Sequence, residues 1–140
     1  MKALLDTNII IDALQDRQPW AEAAKELFRE AARNHYTGCL TAKTGADIHY
    51  LTRRCTHSEK AARDVMGKLF ALFDLLDTTA EDCRRALVSD TADYEDAIMI
   101  ETAMRTGMDC IVTRNLRDFS HSRVKVLEPE AFLTALREEG

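Results

Sequence analysis

Four short segments of this 140-residue chain carry side chains suited to holding a cation or steering a phosphate. Asp6 closes the apolar run in LLDTN, and Asn8 follows it. Asp47 stands alone in TGADIHY. Asp93 and Asp96 lie three apart in DYEDAIMI, at the head of an apolar stripe. Thr113, Asn115 and Asp118 follow the apolar run in CIVTRNLRDF. Each has an ordinary structural use. Asp6 or Asn8 suits a helix cap, Asp93 a helix N-terminus, Asn115 and Asp118 a turn, and Asp47 a solvated helix face. Their joint placement is more specific. Acids or amides fall near three strand exits, those before Asp6, Asp47 and Asn115, and on one inward helix start, that of Asp96; Ala46, Ile48 and Leu51 indicate that Asp47 faces inward. Several carboxylates in one crevice repel each other unless protons or cations compensate. Hard oxygen donors select Mg²⁺ or Mn²⁺ over Zn²⁺. His35, His49, His57 and His121 lack ligand spacing and read as surface or packing residues.

The elements that must position these groups follow from apolar spacing. Short apolar runs at 2–6, 37–41, 73–77, 109–113 and 124–127 predict five strands. Helical spacing predicts helices over 20–33, 43–54, 58–72, 80–88 and 93–106, with a helix containing Asp12 after Asp6 and a last one from Pro129. Trp20 joins the apolar stripe of the 20–33 helix, and Pro19 fits its first turn. Ser58 and Thr79 are expected N-caps, and Gly107 a left-handed helix end. Strands alternating with helices imply an α/β fold, a mostly parallel sheet covered on both faces. Ligands of such sheets gather beyond the carboxyl ends of the strands, where the acids fall.

Composition excludes several classes. Hydrophobic residues make up 46% of the chain, too many for a disordered one. No apolar run approaches the roughly 18–20 residues of a membrane span. The net charge of −5 weighs against a freely accessible nucleic-acid-coating surface, but not against a cation-assisted nuclease. Cys39, Cys55, Cys83 and Cys110 show no CxxC spacing and read as reduced packing residues. With one Lys and two acids in its first fourteen residues, the chain lacks a secretory-signal pattern, so a cytoplasmic protein is expected. No repeat or linker interrupts 1–140, which reads as one domain.

LLDTNIIID at 4–12, the lone Asp47, DYEDAIMIETA at 93–103 and IVTRNLRDF at 111–119 together resemble the motifs of PIN-domain nucleases, in the family's order and over nearly the whole chain. The likeness is nearest to the PilT N-terminus-like branch that includes the VapC toxins. It implies a five-stranded parallel sheet flanked by helices, a Mg²⁺- or Mn²⁺-dependent ribonuclease, a homodimer, and an antitoxin that blocks the crevice. On this resemblance Asp6 and Asp96 hold the metal, with Asp47 and Asn115 or Asp118 completing or steering its shell. Asp47 stands where the family usually has Glu, and Asn115 where many members have Asp, with Asp118 close behind. Asn8 and Thr113 match polar residues that orient the first acid, and Asp93 supports the third. Arg53, Arg54, Arg114 and Arg117 fall near the expected rim and suit flanking phosphates. The 58–72 helix and the C-terminal helix offer surfaces for dimerisation. A reading from another class is a PIN-like protein with an impaired site that acts as a binding or regulatory partner, as Asp47 and Asn115 suggest. A haloacid-dehalogenase-like phosphoryl transferase also begins with Asp at a strand end. It requires a second Asp two residues later, where this chain has Asn8.

Overall fold

The computed structural model describes residues 1–139. The expected strands form β1 (Lys2–Leu5), β2 (Thr37–Thr41), β3 (Asp74–Leu76), β4 (Cys110–Val112) and β5 (Lys125–Leu127). All pair in parallel, in the order β3-β2-β1-β4-β5. Four of the five are one or two residues shorter than the apolar runs suggest. At β1 the ladder nonetheless continues, because the Asp6 N–H donates to Val112 O at 3.0 Å.

Among the described residues seven α-helices connect and cover the strands: α1 (Thr7–Leu14), α2 (Ala21–Ala32), α3 (Ala42–Thr56), α4 (Glu59–Leu72), α5 (Ala80–Leu87), α6 (Tyr94–Arg105) and α7 (Pro129–Glu139). Local chemistry sets their ends. The Ser58 hydroxyl accepts the Ala61 N–H at 3.1 Å. Thr79 and Asp82 form a reciprocal capping box. Gly107, at φ +71°, supplies the left-handed residue after α6 that a side chain would strain. One expectation needs correction. α2 begins at Ala21, so Pro19 precedes the helix, and Trp20 sits 42% exposed at its cap instead of in the apolar stripe.

Alternation along each strand sends side chains to two faces. Ala3, Leu5, Leu40 and Val112 meet α1, α2, α3, α4 and α7 on one side. Leu4, Cys39 and Ile111 meet Met99, Ile100 and Ala103 of α6 and Phe119 on the other. The α5–α6 pair is locked by Asp82, 1% exposed, which accepts from Thr102 Oγ1 at 3.0 Å and Arg105 Nε at 2.9 Å. Among the described residues no helix is long and apolar enough to cross a membrane. Cys39 and Cys110 are buried as expected of packing thiols, but Cys55 is exposed on α3.

β2 must pass close beneath Phe73, which is 2% exposed and packs edge-on against Phe28 at 5.1 Å between ring centroids. A Cβ on Gly38 would lie 2.6 and 2.8 Å from Phe73 ring carbons. Gly38→Ala is therefore expected to lower stability by about 1–3 kcal/mol. Urea unfolding reads this directly, and an unchanged midpoint would contradict the close approach.

Candidate active site

The chain runs from β1 out to β3 on one side and then crosses to β4 on the other, so the topology reverses beside β1. An open parallel sheet leaves a crevice at such a reversal, beyond the strand ends. Asp6 leaves β1 there, and Thr113, Asn115 and the 3-10 helix Leu116–Phe119 leave β4. A cleft of about 460 Å³ occupies this position. Asp6, Asn8, Asp47, Asp93, Asp96, Asn115 and Asp118 all line it, and Thr113 lies buried beside it.

Asp6 is 8% exposed and occupies the α1 cap position without a side-chain capping bond. Its Oδ2 instead accepts from Thr113 Oγ1 at 2.8 Å. The same hydroxyl accepts the Asn115 N–H at 3.1 Å, so Thr113 fixes the first acid and the start of the β4 loop together. Burial raises the Asp6 carboxyl above its ordinary value, against the lowering effect of the Thr113 bond, and the Asp118 charge adds to the rise. Asp93 is the N-cap of α6 and accepts the Asp96 N–H at 3.0 Å. Asp96 itself is pushed up to about 7, first by burial and then by the charges of Asp93, Asp6 and Asp118. Asp6, Asp96 and Asp118 thus feel one another electrostatically. In this conformation no three acidic, His or Cys side chains among the described residues stand together as a preformed metal cluster.

Two expected roles change. Asp47 lines the cleft, but its side chain is 42% exposed and accepts from Lys43 Nζ at 2.7 Å. It does not face inward. α3 turns Thr44, Gly45, Ile48 and Thr52 to the interior, leaving Ala46 and Tyr50 exposed. Arg114 is not a free phosphate contact at the rim. Its Nε donates to Asp12 Oδ2 at 2.8 Å, and its guanidinium stacks 4.0 Å from the Trp20 ring centroid. Asp12 is fully buried, so this pair anchors the β4 loop to α1. A charged residue inside the run Ile9–Ile10–Ile11–Asp12 was the available sequence signal. Arg53 pairs with Glu59 at 3.2 Å, while Arg54 and Arg117 are exposed.

Sequence reasoning also missed the hydroxyl chain that sets α3 against α1. Thr41 Oγ1 caps α3 by accepting the Thr44 N–H at 3.1 Å, and it donates to Thr44 Oγ1 at 3.1 Å. Thr44 Oγ1 in turn meets Thr7 Oγ1 at 2.9 Å. Lys43, from the first turn of α3, reaches Glu95 of α6 at 3.5 Å across the cleft as well as Asp47. Its i,i+4 spacing from Asp47 was legible.

An α/β sheet whose switch-point crevice gathers acids from β1, the β4 loop and α6 is the architecture of an acidic-crevice protein. The chain belongs to the PIN-domain family, whose sequence profile matches residues 2–117. VapBC2 of Rickettsia felis, solved with a fragment of its promoter DNA, superposes with a TM-score of 0.71 at 15% identity, over 91% of this chain and 98% of that one. A toxin–antitoxin complex from Klebsiella pneumoniae gives 0.67 at 22% identity, over 91% and 97%. VapC20 of Mycobacterium tuberculosis, a sarcin–ricin loop cleaving toxin, gives 0.60 at 15% identity, over 78% and 86%. At these identities the likeness is one of fold. No curated protein matches the chain in sequence.

Two stability outcomes follow. Asp96 binds its proton more tightly folded, near 7, than unfolded, near 3.8. Its charge therefore costs stability progressively as pH rises from about 4 to about 7, and fully above that. Asp96→Asn should exceed the parent by about 1–2 kcal/mol at pH 8 without divalent ions, solvent screening the partly exposed carboxyl, and by nothing below about pH 4. Equal thermal midpoints at pH 8 would show that the crevice is not electrostatically strained. Arg114→Ala leaves the Asp12 carboxylate buried without its partner and should cost about 3–5 kcal/mol. Hydrogen exchange should also quicken at the Asn115 amide, and an unchanged rate there would separate the clamp from the loop.

Proposed function

We propose that this chain is a Mg²⁺- or Mn²⁺-dependent endoribonuclease and the toxin member of a toxin–antitoxin pair. The observation that carries the reading is the convergence of Asp6, Asp96 and Asp118 on one switch-point crevice, where burial raises the Asp6 and Asp96 carboxyls. Membership of the PIN family and the fold likeness to VapC20 and to toxin–antitoxin assemblies support it.

The residues present fit a hard divalent cation. Asp6 spends one carboxylate oxygen on Thr113 and is otherwise without a side-chain partner among the described residues. Asp96 carries uncompensated negative potential, which a cation would relieve. Asp6 and Asp96 would hold the ion, with Asp118 and the Asn115 carbonyl adjacent, while Asp47 would first have to leave Lys43. Such an ion supplies Lewis acidity toward water and toward the phosphoryl oxygens. The protein contributes positioning. Thr113 locks the orientation of Asp6, Asp93 fixes the first turn of α6 and hence Asp96, and the Asp12–Arg114 clamp holds the loop bearing Asn115 and Asp118. RNA would enter the crevice, a second copy of the chain would form a homodimer, and an antitoxin would occlude the site in a cytoplasmic setting.

Asp47 bound to Lys43, together with the uncharged Asn115, favours a second reading, a PIN-fold protein with an impaired site serving as a binding or regulatory partner. Mn²⁺ titration calorimetry with an RNA-pool cleavage assay decides between them. The nuclease reading expects heat of binding, cleavage that chelator abolishes, and losses beyond about 100-fold in Asp6→Asn and Asp96→Asn. Absence of both binding and cleavage supports the partner role, and full activity in Asp6→Asn defeats the site assignment.

A further inference from the structure

The first ten residues of α3 border the acid crevice and present an ordered sequence of chemistries to it. At 3.6 residues per turn, Lys43, Tyr50 and Arg54 fall within about 40° of arc on this helix and span about 16 Å. Lys43 and Tyr50 line the crevice, and Arg54 follows one turn further on the same azimuth. Tyr50 is 63% exposed, and its hydroxyl bonds to no described residue. An aromatic ring standing free in a polar crevice is not explained by packing, since α3 seats its inner face with Thr44, Ile48 and Thr52. Leu51, Ile98 and Met99 add apolar surface to the same walls. Lys43 is held by Asp47 and Glu95, whose side chains are 42% and 68% exposed. Exposed pairs of this kind are worth under about 1 kcal/mol, so a phosphate can compete for the ammonium. Arg54 is exposed and among the described residues has no ion pair.

We propose that Tyr50 is the stacking platform of a nucleobase subsite, flanked by phosphate contacts from Lys43 and Arg54, which takes an unpaired nucleotide next to the cleaved bond. The inference rests on the nuclease reading of this crevice and assigns to it a residue that contacts a base. Asp47 falls near the same arc but is drawn onto Lys43, and the order Lys43, Tyr50, Arg54 matches the phosphate–base–phosphate order of a single strand. A base within a duplex has both faces occupied and cannot reach the ring. Lys43, Asp47 and Arg54 interrupt the apolar surface of Tyr50 and Leu51 along α3, so the observations favour RNA over an amphipathic protein helix as occupant.

Stacking on an aromatic ring is worth roughly a 5- to 150-fold effect per base. The test is a double-mutant cycle between Tyr50 and the substrate. A single-stranded oligoribonucleotide is compared with the same strand lacking the base on either side of the cleaved bond, and with its annealed duplex. Binding is followed by fluorescence anisotropy on the Asp6→Asn protein, and kcat/KM on the active protein, with Tyr50, Tyr50→Phe and Tyr50→Ala in each. The subsite predicts that base removal weakens the Tyr50 protein at least 5-fold, that Tyr50→Ala loses as much on intact RNA, and that the two losses do not multiply. Tyr50→Phe should retain binding, and the duplex should bind as poorly as the abasic strand. Independent effects overturn the proposal, as does an unchanged Tyr50→Ala protein, which would leave the face to a protein partner. If the parent protein cuts no RNA, the nuclease reading falls, and the anisotropy cycle still decides the subsite. Circular dichroism of Tyr50→Ala, an exposed position, checks that its fold is intact.

Discussion

The hydrogen bond from Thr113 Oγ1 to Asp6 Oδ2 joins residues 107 positions apart and ties the exit of β1 to the exit of β4. Its importance lies in what it does with a costly group. A carboxylate at 8% exposure is expensive to bury, and Thr113 is the side chain that donates to this one. The sheet register brings the donor there. Leu5 stands opposite Val112, so the next residue on each strand emerges at the same level and on the same side of the topological reversal. Because Thr113 also receives the Asn115 N–H, the acid and the following loop cannot move independently. The crevice is thereby built from backbone pairing outward.

The charges around that bond are sorted. At Asp82, burial is outweighed by Arg105 and by Thr79 and Thr102, and the carboxyl is held below its ordinary value. At Asp12, full burial is matched by Arg114. On the α3 wall, Asp47 is met by Lys43. Asp6, Asp96 and Asp118 form no ion pair among the described residues; Arg114 eases the charge on Asp6 only from a distance, and Asp96 rises. Bases were therefore available to the fold and were placed elsewhere. A fold that neutralises its acids at three places and leaves one group strained retains, at that group, the free energy that an incoming cation would release.

Much of this was legible in the residues. The strands end where apolar runs meet Asp6, Thr41 or Thr113, because a polar side chain at a strand tip escapes the core. Ser58, Thr79 and Gly107 mark helix ends through bonds made within four residues, which sequence spacing captures. The failures share a cause. Arg114 looked solvent-facing because its partner lies 102 residues earlier, and only the packing of α1 on α2 brings Asp12 and Trp20 together beneath it. Asp47 looked inward because Ala46, Ile48 and Leu51 flank it. α3 has only a narrow buried face, however, so small and aromatic residues such as Ala46 and Tyr50 lie outside it. Apolar composition identifies a helix, but its rotation is set by what it packs against. Here that is decided by the Thr7–Thr44–Thr41 chain and by the burial of Ile48 in the core.

That rotation connects the fold to its use. Seating Thr44, Ile48 and Thr52 inward forces the opposite azimuth of α3 toward the crevice mouth and solvent, and that azimuth carries Lys43, Tyr50 and Arg54. The hydroxyl chain from Thr7 to Thr41 starts one residue after Asp6, so the angle of α3 is referenced to the same strand end that sets the first acid. A change in that chain would turn the helix and the acid relative to each other and disturb both walls together. The acid group and the α3 stripe are therefore two faces of one rigid corner. Chemistry at the acids and recognition along α3 share a frame that neither could shift without the other.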